Sequence, residues 1–188
     1  MPPATDDVSL DRVDRAILQL LQRDARHTTA VDLAERVGVS DGTIRNRIEK
    51  LEEEGVIQGY APLINYEAAG YQLQIRFMCS TRIVEREALA REALQIEGVV
   101  EVHEVMTGRN NIEIKVVAPH HDDVTRVATK LDEMGMDIES EDLIRHHYFR
   151  PFNHFGTENI SSDVEDEHPS EYDVGVSSRQ DDLDYRSE

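Results

Sequence analysis

From Leu10 the apolar residues recur at intervals of three and four, and Leu10, Val13, Ile17, Leu20 and Leu21 fall on one face of a helix. A second, short helix is predicted over Ala30 to Val37, burying Val31, Leu33, Ala34 and Val37 and broken by Gly38. Ser40 is placed to cap a third, with Ile44, Ile48 and Leu51 as its apolar stripe and Gly55 as its left-handed end. The short run Val56 to Tyr60, followed by Pro62, predicts a strand or wing edge. Residues 61–70 then connect to the next unit.

After Gly70 the period changes from helix to strand. Leu73, Ile75, Phe77 and Cys79 alternate with Gln72, Gln74, Arg76 and Met78, the pattern of a half-buried strand. Glu85 to Ile96 follows as a helix with Leu89, Ala93 and Ile96 on one face. Val99 to Thr107 is a second strand, Gly108 to Asn110 a turn, and Ile112, Ile114 and Val116 alternate along a third. His120 to Met134 is helical around Val124, Val127, Ala128 and Leu131, and Met136 to Phe149 is a long fourth strand. The order β-α-β-β-α-β is that of a ferredoxin-like domain, in which helices cover one face of a four-stranded antiparallel sheet and leave the other for self-association.

The fold class is therefore α+β, a winged helix-turn-helix followed by a ferredoxin-like domain. The expected bounds are 1–9 for a flexible lead-in, 10–60 for the helix-turn-helix, 61–70 for a linker, 71–152 for the second domain and 153–188 for an acidic, disordered tail.

Charge complicates this picture. The chain of 188 residues carries a net −19, whereas attraction to phosphate demands a basic face. The acid is unevenly spread: from Pro151 onward eleven Asp and Glu face only Arg179 and Arg186, so the tail holds about nine of the nineteen excess charges. Strongly acidic surfaces also suit a very salty cytoplasm, which points to a halophilic source. One cysteine, Cys79, allows no disulfide within the chain, and neither a membrane span nor a signal pattern is visible. A cytoplasmic protein is expected.

The third helix carries the candidate chemistry. At about 100° per residue, Thr43, Asn46, Arg47 and Lys50 form a polar stripe beside the apolar one, flanked by Arg45. Arginine can fork onto guanine, asparagine can pair with adenine, and Lys or Thr suits phosphate or base. An ordinary surface helix shows a polar stripe too, with Arg45 and Lys50 pairing with Glu49, Glu53 or Glu54. The turn Gly38-Val39-Ser40 between two helices of suitable length favours the DNA reading.

The residues Leu10-Asp11-Arg12-Val13-Asp14-Arg15-Ala16-Ile17-Leu18, then Leu33 to Ser40, then Arg47-Ile48-Glu49-Lys50-Leu51-Glu52-Glu53-Glu54-Gly55-Val56-Ile57 and Gly59-Tyr60, resemble the N-terminal half of the Lrp/AsnC family of leucine-responsive, feast/famine regulators. The resemblance continues to about Phe152. It implies a regulator that binds duplex operators as a dimer, pairs its second domains sheet to sheet, stacks dimers into assemblies as large as an octamer, and takes a small effector such as an amino acid. Ser40, Thr43, Arg45, Asn46 and Arg47 fall on the start of the recognition helix, with Lys50 further along.

In the family, the loop between the middle strands of the second domain carries Gly and, three residues later, Asp near the effector. Here Gly108 is kept, Asn111 stands at the acid's place, and Arg109 adds a cation for a carboxylate. Two readings stand: a changed or lost effector preference, or a plain hairpin turn. No metal or other cofactor is expected, since His146 and His147, adjacent on a strand, point to opposite faces. His103, His120, His121 and His154 would meet only through tertiary structure.

Sirohaem decarboxylases share this architecture and offer an enzyme alternative, with a His-Asn-Tyr on the second strand and a later Trp-Phe. This chain has His103-Glu104-Val105 and no Trp. A sensing module without DNA binding is a further alternative, opposed by Ser40, Arg45, Asn46 and Arg47. No catalytic residues are expected.

Overall fold

A computed structural model describes residues 9–106, 108–152, 155 and 172–173. The chain divides near Leu63 and again at Phe149: the residues up to Leu63 group with a segment starting at Phe149, and Ile64–Tyr148 forms a second unit.

Each helix of the first unit begins where a side chain can accept amides that the helix itself leaves open. α1 (Arg12–Arg23) is capped by Asp11, whose carboxylate accepts the Asp14 amide at 2.9 Å while Asp14 accepts the Asp11 amide at 3.1 Å. α2 (Ala30–Val37) starts with the same reciprocal arrangement of Thr29 and Asp32. It stops at Gly38, whose φ of 80° is open to a residue without a Cβ. α3 (Asp41–Glu53) follows at once, its Thr43 amide bonded to the Ser40 hydroxyl at 3.2 Å. Ile17, Leu20, Leu33, Ile44 and Leu51 close the core between the three helices.

Two expectations fail in this unit. Val31 is 58% exposed rather than buried, because it stands about 200° around the helix from Leu33, which takes the inward arc. Val56 to Tyr60 is not a strand: the Val56 and Ile57 amides both donate to the Leu51 carbonyl, at 2.9 and 3.0 Å, and fold these side chains back over the core.

In the second unit the elements follow the predicted order: β1 (Leu73–Ser80), α4 (Arg86–Ala93), β2 (Val99–Glu104), β3 (Ile112–Ala118), α5 (His121–Glu133) and β4 (Asp137–Leu143). They form an antiparallel sheet in the order β2-β3-β1-β4. Ile75, Phe77 and Cys79 of β1 and Ile112, Ile114 and Val116 of β3 are buried with Ala93, Val127 and Leu131 of the helices. Gln74, Arg76, Met78 and Ser80 alternate onto the opposite face.

The fourth strand is shorter than the sequence predicts. Its partner β1 begins at Leu73, so the ladder runs out once the Ile144 amide has bonded the Gln74 carbonyl at 2.8 Å. Tyr148–Phe149 is a separate two-residue strand, β5, and His146 and His147 therefore lie outside the sheet. The opposite-faces argument does not apply to them. Of the expected lead-in only Ser9, and of the expected tail only Phe155 and Tyr172–Asp173, lie within the described residues.

Candidate nucleic-acid interface

The turn that presents α3 is built from backbone constraints and two small side chains. Gly38 ends α2 in the left-handed region, Val39 tucks partly into the core, and Ser40 caps α3 while its hydroxyl also meets that of Thr43 at 2.9 Å. Ile44 and Leu51 are buried, which fixes the side of α3 turned to the core. Thr43, Arg45, Asn46 and Lys50 are all exposed on the remaining arc.

Two of those cations have intrahelical partners. Arg45 lies 3.4 Å from Asp41 and Lys50 lies 3.6 Å from Glu54, both exposed i,i+4 pairs. Such pairs contribute only about 0.3–0.5 kcal/mol, so a phosphate or base edge can displace them at small cost. Residues 9–60 carry eight Lys and Arg against ten Asp and Glu, so the segment around α3 is close to neutral although the whole chain is at −19.

Arg47 behaves differently from the stripe to which the sequence assigned it. Its guanidinium turns back to α1, where Nη1 lies 2.9 Å from Asp11 and 3.3 Å from Asp14. The Asp14 side chain is 5% exposed and that of Arg47 34%. Removing one partner of a fully buried pair costs about 3–5 kcal/mol, a figure reduced here by the open third of Arg47. The Asp14 amide donated to Asp11 holds the Asp11 carboxyl below its ordinary range, with Arg47 adding to this against the opposing effect of burial. The signal for this network was present in the sequence as Asp11 and Asp14 at a helix start, but nothing local tied them to Arg47, 33 residues beyond Asp14.

Tyr60 closes the far end of α3. Its hydroxyl donates to Glu52 at 2.9 Å, and burial together with that carboxylate pushes its pKa up to about 12. Sequence reasoning did not single out this contact.

The other candidate residues lie in the turn between β2 and β3. Gly108 has φ 101°, and the exposed Arg109 reaches Glu139 at 3.2 Å. Asn111 is 7% exposed, and its amide group is spent on the backbone of Thr81. A cavity of about 390 Å³ lined by Gln72, Leu73, Pro119, His120, His121 and Asp122 opens at the other end of β1 and β3, where Leu73 pairs with Ala118. Thr107 and His154 lie outside the described residues. Among the described residues no three His, Cys, Asp or Glu side chains converge as metal ligands, and no helix is long and apolar enough to cross a membrane. Cys79 is a core residue, its thiol pushed up to about 11 by burial and by Glu139.

Residues 10–58 match the family model described as winged helix-turn-helix DNA-binding. The chain is 31% identical over 109 residues to the HTH-type transcriptional regulator FL11 of Pyrococcus abyssi, covering 58% of this chain and 71% of that one. It is 53% identical over 66 residues to the leucine-responsive regulatory protein of Rhizobium meliloti, a match that spans 35% of this chain and 42% of the relative.

The chain belongs to the Lrp/AsnC family of helix-turn-helix transcriptional regulators. The fold of the family extends to the second unit: the transcriptional regulator NMB0573 of Neisseria meningitidis, solved in complex with L-Met, superposes with a TM-score of 0.62 at 26% identity. That match covers 72% of this chain and 90% of that one. These Lrp/AsnC relatives are regulators rather than enzymes, which sets aside the sirohaem decarboxylase alternative.

Proposed function

We propose that this Lrp/AsnC protein binds operator DNA as a homodimer by inserting the start of α3 into the major groove, with Thr43, Arg45, Asn46 and Lys50 facing the duplex and Ser40 ordering the entry turn. The observation that carries this reading is the exposed stripe itself, set on a helix whose opposite side is locked by Ile44 and Leu51. A gel-shift titration of the chain's own upstream region against random duplex, over a salt series, tests it. Equal affinity for the two duplexes rejects it.

Dimerisation is supported by the sheet face that carries Gln74, Arg76, Met78 and Ser80, opposite the helices. Two half-sites one helical turn apart then follow from two-fold symmetry. Assemblies up to an octamer extend the same proposal, and sedimentation with and without operator measures the state.

An amino-acid effector is proposed at the turn of Gly108 and Arg109, where an incoming carboxylate would exchange for Glu139. The L-Met complex of NMB0573 supports this class of ligand. Asn111, bonded to Thr81, supports the turn from behind and offers no carboxylate to an ammonium group. Melting temperatures recorded with each amino acid in turn test the site, and a flat series removes it.

A cytoplasm of high salt is the proposed setting, supported by 39 Asp and Glu against 20 Lys and Arg. A melting temperature that falls as KCl rises from 0.1 to several molar counts against a halophilic source.

A further inference from the structure

We propose that Arg47 is a positioning residue for DNA recognition: by bridging Asp11 and Asp14 it sets the rotation and depth at which α3 is presented, and it touches neither base nor phosphate. The inference rests on the operator-binding reading above.

Three observations converge on it. Nη1 of Arg47 is shared by two carboxylates, 2.9 Å from Asp11 Oδ2 and 3.3 and 3.4 Å from the two oxygens of Asp14. Those carboxylates are themselves fixed, because each accepts the other's backbone amide in the cap of α1. Asp14 is also 4% exposed, so an arginine that swung out to the duplex would leave a buried carboxyl group without its cationic partner.

The position on the helix gives the bridge its leverage. Arg47 stands three residues after the buried Ile44 and four before the buried Leu51, at the margin of the inward side, and one residue from Asn46 on the outward side. Apolar contacts are non-directional: they fix which side of a helix faces the core but set its exact rotation only loosely. Charge-assisted hydrogen bonds to anchored oxygens are directional and resist that roll. A roll of α3 would move Thr43, Asn46 and Lys50 together relative to the groove.

The test uses the full chain as wild type, Arg47→Ala, Asp14→Asn, the double substitution and Arg47→Lys, each titrated with operator and with random duplex over a salt series beside a melting curve. Asp14 lies on α1, so a positioning role predicts that Asp14→Asn reproduces the loss caused by Arg47→Ala, about tenfold in the operator-to-random ratio, and that the double substitution loses no more than either single. The salt slope of random-duplex binding is unchanged from wild type, whereas loss of a phosphate contact would lower it by about 1. Arg47→Lys keeps a cation beside the two carboxylates and restores most of the ratio, which a lysine replacing a forked base contact would not do. This variant, which keeps the charge pair, gives the answer if Arg47→Ala does not fold.

Three results overturn the proposal. They are an Asp14→Asn protein that keeps or gains operator affinity, additive losses in the double substitution, and an Arg47→Ala protein whose preference is relaxed at a single base pair. A wild type that binds operator and random duplex alike rejects the operator reading instead, and this inference with it.

Discussion

Asn111 holds Thr81 in both directions: its Oδ1 accepts the Thr81 amide at 3.0 Å and its Nδ2 donates to the Thr81 carbonyl at 2.8 Å. The two residues sit where the end of β1 meets the start of β3, and the Asn111 amide itself donates to the Cys79 carbonyl. An asparagine suits this place because its amide offers an acceptor and a donor side by side at neutral pH, where a carboxylate only accepts.

Asn111→Asp is therefore predicted to destabilise the second unit, since a carboxylate would face the Thr81 carbonyl where the amide now donates. The loss is about 1–3 kcal/mol, the cost of leaving a buried polar group unsatisfied. Thermal unfolding at pH 7 measures it, and because burial favours the protonated acid, the deficit shrinks as pH is lowered.

Ser40→Ala removes the acceptor for the Thr43 amide and is expected to cost about 1 kcal/mol of stability. Operator affinity falls with it, and Ser40→Asp, which restores an acceptor at the cap, recovers the melting temperature. A melting curve unchanged by Ser40→Ala contradicts the capping role.

Within α3 the contributions of individual side chains separate by type. Lys50→Ala is expected to weaken all duplexes alike and to lower the salt slope by about 1, as loss of a phosphate contact does. Asn46→Ala is expected to cost about 1–3 kcal/mol on operator alone and to relax preference at one base pair. Binding to a library of single-base operator variants distinguishes the two.

Alkaline titration reports on Tyr60. Its folded pKa is raised from 10 to about 12, so its contribution to stability is fully present below pH 10 and is lost as pH rises towards 12. Tyr60→Phe flattens this part of the stability curve. At the acid end the sign reverses: the Thr29 hydroxyl and amide hold Asp32 below its ordinary 3.8, so the α2 cap contributes above that pH and fails as pH falls through the lowered value. Chemical denaturation across the two ranges follows both effects.

Local chemistry explains which features were legible in the sequence. Gly38 and Ser40 announce the turn before α3 because backbone freedom and a capping oxygen are properties of single residues. Ile75, Phe77 and Cys79 announce β1 because alternation needs no partner to be seen. The Arg47 bridge is not legible for the opposite reason: helical geometry puts Arg47 near the outward stripe, and only the packing of α1 against α3 brings the two aspartates within reach. Val56 and Ile57 suggest a strand by side-chain type, yet Gly55 turns them back onto the Leu51 carbonyl. The Asn111 substitution was visible, whereas its bond to Thr81 depends on two strands being adjacent.

The segment after β5 returns to the first unit. Phe152 exchanges backbone hydrogen bonds with the side chain of Gln22 on α1, its amide donating at 3.1 Å, and Phe155 packs edge-on against it and over the helix-turn-helix core. The DNA-reading module is thus not a contiguous stretch of coding sequence. A clone ending at Leu63 would omit Phe155, which its own core uses, along with the Phe152 ring set edge-on against it, and one proteolytic cut in the 61–70 stretch would leave the module tethered through its other entry. Swapping recognition specificity between paralogues by exchanging N-terminal halves would need to carry the Gln22 and Phe152 partnership along.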